Sequence, residues 1–262
     1  MVDNPIENNL YLARISHLSG LHEEAIKYIE ELIKLKNGNL TDEERNLLLS
    51  SLKSLINFRR DSWRTVHALE SKEIKNQSSL LPRVSELKQS LVDEIKQYIN
   101  KGIELIDNLL KSAKTDEVKL IYNKTKADYM RYIIELTPKE KEDEINSLKE
   151  KADENYKMAL SMCYNLNNLN TNKIGLVLNY TVFLYEIMKD YKNAYIIANN
   201  AYQKTAKSIN DENVDITLMK DLNKLLNLLK DNISKWSEMV QQENIENLTK
   251  DLSPNNQENP SS

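Results

Sequence analysis

"LTDEERNLLLSSLKSLINFRRDSWR" occupies residues 40–64 and holds both the start of a long helix and its most charged face. Thr41 to Glu44 has the form of a capping box: the Thr41 hydroxyl serves the Glu44 amide while the Glu44 carboxylate reaches back. At about 100° per residue, Leu52, Leu55, Ile56 and Trp63 share one face, which predicts that this face packs inward. Lys53, Arg60 and Arg64 fall on a neighbouring stripe, with Lys53 and Arg60 nearly aligned two turns apart. Arg59 leans toward the apolar side, where it requires a buried carboxylate partner. Taken alone, the cationic stripe reads as a solvated flank.

Outward from this stretch, the chain has few helix breakers. Of 262 residues only 4 are Gly and 5 are Pro, and Pro5, Pro254 and Pro260 lie in the terminal regions. A body punctuated only by Pro82 and Pro138, rich in Leu, Lys, Glu, Asn and Ile, predicts an all-α fold. No alternating strand pattern appears. Nine helices are expected, near 5–20, 22–36, 42–73, 80–111, 116–136, 139–163, 172–188, 191–208 and 214–238. Thr115 before Asp116 and Glu117 marks one start, and Thr137-Pro138-Lys139-Glu140 repeats the capping logic of Thr41. One helical domain over 1–239 is expected, followed by a flexible tail over 240–262 with few large apolar residues. "DYKNAYIIANNAYQKTA" (190–206) has a tetratricopeptide flavour, but no 34-residue recurrence follows.

Several functions are excluded on composition and motif. A net charge of -4 argues against a general nucleic-acid binder. The lone Cys163 rules out an internal disulfide framework and suits a reducing compartment. "MVDNPIENN" carries no signal pattern. "IGLVLNYTVFLYEI" (174–187) is too short for a membrane span and contains Asn179 and Glu186. A cytoplasmic placement, extending to the nucleus, is expected. His17, His22 and His67 form no metal-ligand motif with Cys163, and no nucleophile elbow, Gly-rich phosphate loop or zincin string occurs. No metal, cofactor or catalytic residue is expected.

Two further regions collect polar groups on helix faces. In "NKTKADYMRYIIEL" (123–136), Lys124, Asp128, Arg131 and Tyr132 fall on one side. An Asp between two cations can orient an arginine without cancelling the whole charge; an exposed ion-pair ladder is the plainer alternative. In 175–187, Asn179, Val182, Phe183 and Glu186 recur at helical spacing, and Leu225, Leu228, Leu229, Asn232 and Trp236 form a comparable stripe. Apolar faces interrupted by one amide suit a groove for an extended peptide backbone, and equally a core with a satisfied Asn.

The strings "LTDEERNLLLSSLKSLINFRRDSWR" (40–64), "TKADYMRYIIEL" (125–136), "GLVLNYTVFLYEI" (175–187) and "LLKDNISKW" (228–236) together resemble the 14-3-3 family, from about residue 10 to 238. The resemblance implies a cup of nine antiparallel helices with an amphipathic groove. It implies a non-enzymatic adaptor that binds phosphoserine or phosphothreonine motifs of client proteins. Lys53, Arg60 and Arg131 match the family's phosphate-gripping cations, and Tyr132 its phosphate-binding hydroxyl. Asn179 and Asn232 match the amides that hold the ligand's main chain, with Glu186 and Trp236 near that backbone. Lys124, Leu178, Val182, Leu225 and Leu228 match the groove lining. Ser50 stands in place of a groove valine and Lys224 in place of a groove leucine.

A homodimer, or a heterodimer with a related chain, is also implied. Leu21 and Ser90 replace an arginine and a lysine used in dimer salt bridges, so a weaker or differently registered dimer is expected, seamed by Leu12, Ile15, Leu18 and Leu91. Phosphorylated Ser253 or Ser261 could occupy the chain's own groove or a neighbour's, although a plain disordered terminus is the favoured reading of the tail. The competing function is a scaffold of the same fold that recognises partners without phosphate, as tetratricopeptide modules do.

Overall fold

The fold is seen in a computed structural model that describes residues 4–211 and 214–251. Among those residues the chain forms helices α1 (Pro5–Leu18), α2 (His22–Leu35), α3 (Asp42–Lys75), α4 (Leu81–Leu110), α5 (Asp116–Leu136), α6 (Glu142–Ser161), α7 (Thr171–Phe183), α8 (Tyr191–Asp211) and α9 (Ile216–Asp251). A π-helical segment, Leu184–Met188, prolongs α7. The all-α expectation is met, with no strand among the described residues.

The chain divides into two compact units, drawn from Met1–Tyr122 with Tyr132–Glu142 and from Asn123–Arg131 with Asp143–Ser262. In the first, α1 packs on α2, α2 on α3 and α3 on α4. The inward face read from the sequence is the one that is buried: Leu52, Leu55, Ile56 and Trp63 are all at most 9% exposed. The Thr41 capping box forms in both directions. Burial alone would raise the Glu44 carboxyl, but bonds from Lys36 and the Thr41 amide hold it below the ordinary range. Arg59 finds its carboxylate in Glu94 at 2.9 Å, half-exposed rather than buried. Glu70 accepts from Ser85 at 2.8 Å and pairs with Lys88, tying α3 to α4.

In the second unit α7, α8 and α9 pack pairwise. Tyr156 of α6 meets the rings of Tyr180 and Phe183, each centroid 5.3 Å away.

Four local expectations differ from the structure. Thr137 does not start α6; its hydroxyl turns back to the Ile133 carbonyl at 2.7 Å, closing α5, and α6 begins at Glu142. Phe183 is fully buried while Glu186 is exposed, because the π turn breaks the 100° register between them. Leu91 is buried in the first unit's core and so is no seam residue. α9 continues past 238 to Asp251, since no Gly or Pro interrupts it before Pro254. The tail expected over 240–262 thus falls partly on α9, and Ser253 and Ser261 lie outside the described residues.

Candidate functional site

In the first unit α3 presents Lys53 and Arg60 seven residues apart, about 10 Å along the axis and on one side of the helix. Lys53 is exposed and takes part in no ion pair or hydrogen bond among the described residues. Arg60 is nearly buried and its position is fixed on every side. Its guanidinium lies over the Tyr132 ring, 3.5 Å from the centroid. Its Nε donates to Glu135 Oε2 at 3.2 Å, one terminal nitrogen also bonds Glu135, and the other donates to Asn57 Oδ1 at 3.1 Å. Three of five guanidinium donors are thereby engaged, which leaves two.

Glu135 is a residue the sequence reading missed. It also takes Arg64, Nε at 2.8 Å and a terminal nitrogen at 2.7 Å. Burial works to raise its carboxyl, but the bonds and charges of Arg60 and Arg64 keep it below the ordinary carboxylate range, so it stays ionised. One carboxylate faces two arginines and, with Lys53, the balance on this face stays cationic. Arg64, half-exposed and also paired with Asp61 at 3.2 Å, helps hold Glu135. An α5 carboxylate at i+3 from Tyr132 was the available signal, but nothing local ties it to α3.

In the second unit the middle of α5 supplies Lys124, Asp128 and Arg131. Asp128 is buried; Lys124 Nζ donates to it at 2.9 Å and Arg131 stands 3.7 Å away. The Asn179 amide donates to Asp128, and so does the Tyr156 hydroxyl. Asn179 therefore has the partner its place in an apolar segment requires, and Tyr156 is a second residue the sequence did not single out.

Leu178 and Val182 are half-buried on α7, and Glu186 is exposed on the π segment. On α9, Leu225 is half-buried and Leu228 is 51% exposed, the latter an apolar side chain left open to solvent. Asn232 is half-buried with no hydrogen bond among the described residues. Trp236 is buried and stacks on Tyr185, centroids 4.8 Å apart. Ser50 donates to the Leu47 carbonyl at 3.1 Å, and Lys224 pairs with Asp221 at 3.2 Å. No three His, Cys, Asp or Glu side chains among the described residues converge to hold a metal ion, and no described helix is long and apolar enough to cross a membrane.

The family model described as "14-3-3 protein" matches residues 12–237. The chain belongs to the 14-3-3 family. It is 32% identical to 14-3-3 protein 3 of Entamoeba histolytica, over 88% of this chain and 95% of that protein. It is 29% identical to 14-3-3-like protein F of Nicotiana tabacum, over 95% and 96% respectively. A 14-3-3 protein homolog of Trichoderma harzianum is 31% identical over 88% of this chain and 87% of its own length. Membership in the 14-3-3 family supports an adaptor role, with binding of client proteins and dimerisation. All four strings that resemble 14-3-3 proteins lie inside the matched span.

Proposed function

We propose that this 14-3-3 chain is an adaptor without enzymatic activity that captures phosphoserine or phosphothreonine segments of client proteins. Lys53, Arg60, Arg131 and Tyr132 bind the phosphate. Asn179 and Asn232 hold the peptide main chain, with Glu186 and Trp236 beside it. Lys124, Leu178, Val182, Leu225 and Leu228 complete an amphipathic lining, and residues 1–239 act as one domain, a reading supported by the single family match across 12–237.

The observation that carries this reading is the state of Arg60. A guanidinium held by Glu135, Asn57 and the Tyr132 face, with two donors unspent, is oriented before any ligand arrives. Its ordering cost is already met in the folded protein. A phosphoserine brings nearly two negative charges and three acceptor oxygens, and the planar fork matches that geometry better than an ammonium does.

The test is a titration of matched phosphorylated and unphosphorylated peptides. Two charge-assisted bonds at about 1.5–3 kcal/mol each predict a preference of at least roughly a hundredfold for the phosphorylated form. Equal affinities would instead identify a phosphate-blind scaffold.

The dimer is proposed to be weaker than is usual for the family. Leu12, Ile15, Leu18 and Leu21 of the first unit expose apolar surface, Leu18 at 85%. With Leu21 and Ser90 where charge partners are usual, association rests on apolar burial, and exposed ion pairs add little in any case. Sedimentation across a wide concentration range should show reversible dissociation; a monomer at every concentration refutes the dimer, and a dimer that never dissociates refutes its weakening. A cytoplasmic and nuclear placement accords with this role.

A further inference from the structure

Asn179 Nδ2 lies 2.9 Å from both carboxylate oxygens of Asp128. The two ends of an asparagine amide are nearly alike in shape, so its orientation is decided by its partners. A carboxylate offers acceptors only. Facing one, Asn179 must turn its NH2 group inward and its Oδ1 away.

Asp128 is itself held on several sides. The Tyr156 hydroxyl donates to Oδ1 at 2.6 Å, Lys124 donates to Oδ2 at 2.9 Å, and Arg131 approaches Oδ1 at 3.7 Å. Burial works to raise the Asp128 carboxyl, but Lys124, Arg131 and the Tyr156 bond together keep it below the ordinary aspartate range, so it remains an anion. Burial drives the Tyr156 hydroxyl well above the ordinary tyrosine value, so it remains a donor. Tyr156 is in turn fixed by the rings of Tyr180 and Phe183. Toward Asp128, therefore, every one of these groups acts only as a donor.

We propose that Asp128, backed by Tyr156, is a positioning residue that fixes the hydrogen-bond polarity of Asn179, so that Asn179 accepts from a backbone N–H of the bound peptide. The inference rests on the peptide-binding function proposed above. Among the described residues Asn179 Oδ1 accepts from no donor, so its capacity is available to a ligand. Asn232 contrasts with it: having no hydrogen bond among the described residues, its amide can turn either end to the ligand. One amide selects a donor; the other adapts.

Asp128→Asn tests the assignment because it keeps shape and removes only the acceptor-only character. Lys124 cannot accept, so the new amide must turn its carbonyl to Lys124. Its NH2 then takes the Oδ1 position, so Asn179, 2.9 Å from both positions, faces one acceptor and one donor and its amide polarity is no longer dictated. The probes are one phosphoserine peptide and a set of copies in which each backbone N–H flanking the phosphoserine is replaced in turn by an ester oxygen.

In the wild type one ester position should weaken binding by about tenfold, the loss of one hydrogen bond. In Asn179→Ala the same ester should cost under about twofold, and in Asp128→Asn clearly less than in the wild type. Comparing amide with ester inside each variant cancels any overall change in affinity from the altered charge. An equal ester penalty in wild type and Asp128→Asn overturns the positioning role while leaving phosphopeptide binding intact. Failure of the wild type to bind any of the phosphopeptides overturns both.

Should Asp128→Asn not fold, NMR of the wild type supplies the second measurement. The Asn179 side-chain NH2 protons should be shifted downfield and slow to exchange. Rapid exchange of both would overturn the inference.

Discussion

An Arg60→Ala, Arg131→Ala double variant is expected to bind a phosphoserine peptide with affinity reduced roughly 150-fold or more. Each arginine contributes charge-assisted bonds worth about 1.5–3 kcal/mol, so the pair supplies about 3 kcal/mol or more, less any coupling between them. The fold should survive because neither removal orphans its carboxylate. Without Arg60, Glu135 keeps Arg64 at 2.7 Å; without Arg131, Asp128 keeps Lys124, Tyr156 and Asn179. Fluorescence anisotropy reads the affinity and circular dichroism the helicity. Near-unchanged affinity with native helicity would sink the phosphate assignment, and a matched unphosphorylated peptide should show little change.

Asp128→Ala should have the opposite character, a large loss of stability. Its removal leaves the buried Tyr156 hydroxyl without the acceptor that now lies at 2.6 Å. Lys124 loses its ion pair, and the Asn179 NH2 loses its acceptor. Breaking one side of a buried charge pair costs about 3–5 kcal/mol. Urea denaturation should show the midpoint fall with the slope unchanged; a midpoint within error of wild type would refute the buried network.

The same residue gives a pH dependence. The Asp128 carboxyl is lowered in the folded protein: burial opposes this, but Lys124 and Arg131 outweigh it. A lowered folded value means that the unfolded chain binds the proton more readily. The stabilisation is therefore complete above the ordinary aspartate range, from about pH 5, and is lost as pH falls through the lower folded value. Glu135 and Glu44, lowered in the same way, add to acid sensitivity with the same sign. In Asp128→Ala the acid limb of the stability profile should flatten; an unchanged limb would assign acid sensitivity elsewhere.

The residues alone specified what one helix can encode. The Thr41 box and the Thr115 cap involve residues three apart, and both form as read. The inward face of Leu52, Leu55, Ile56 and Trp63 follows from 100° periodicity, which a continuous helix must obey. The strings that resemble 14-3-3 proteins were sufficient for the family.

Which partner each polar side chain takes was set by the packing of one helix on another. Glu135 lies 75 residues from Arg60 and 71 from Arg64, and no local pattern says that one carboxylate holds both. Tyr156 reads as an ordinary aromatic of α6 until α6 brings it to Asp128, 28 residues away. Thr137 offered a start for α6, but a hydroxyl can serve an amide ahead or a carbonyl behind, and here the Ile133 carbonyl wins. Phe183 and Glu186 share a stripe only while the turn remains 3.6 residues; the π segment from Leu184 to Met188 sends one to the core and the other to solvent. Periodicity is a property of the backbone next door, whereas a hydrogen-bond partner is chosen by whichever helix packs alongside, and that choice is made only once the chain has folded.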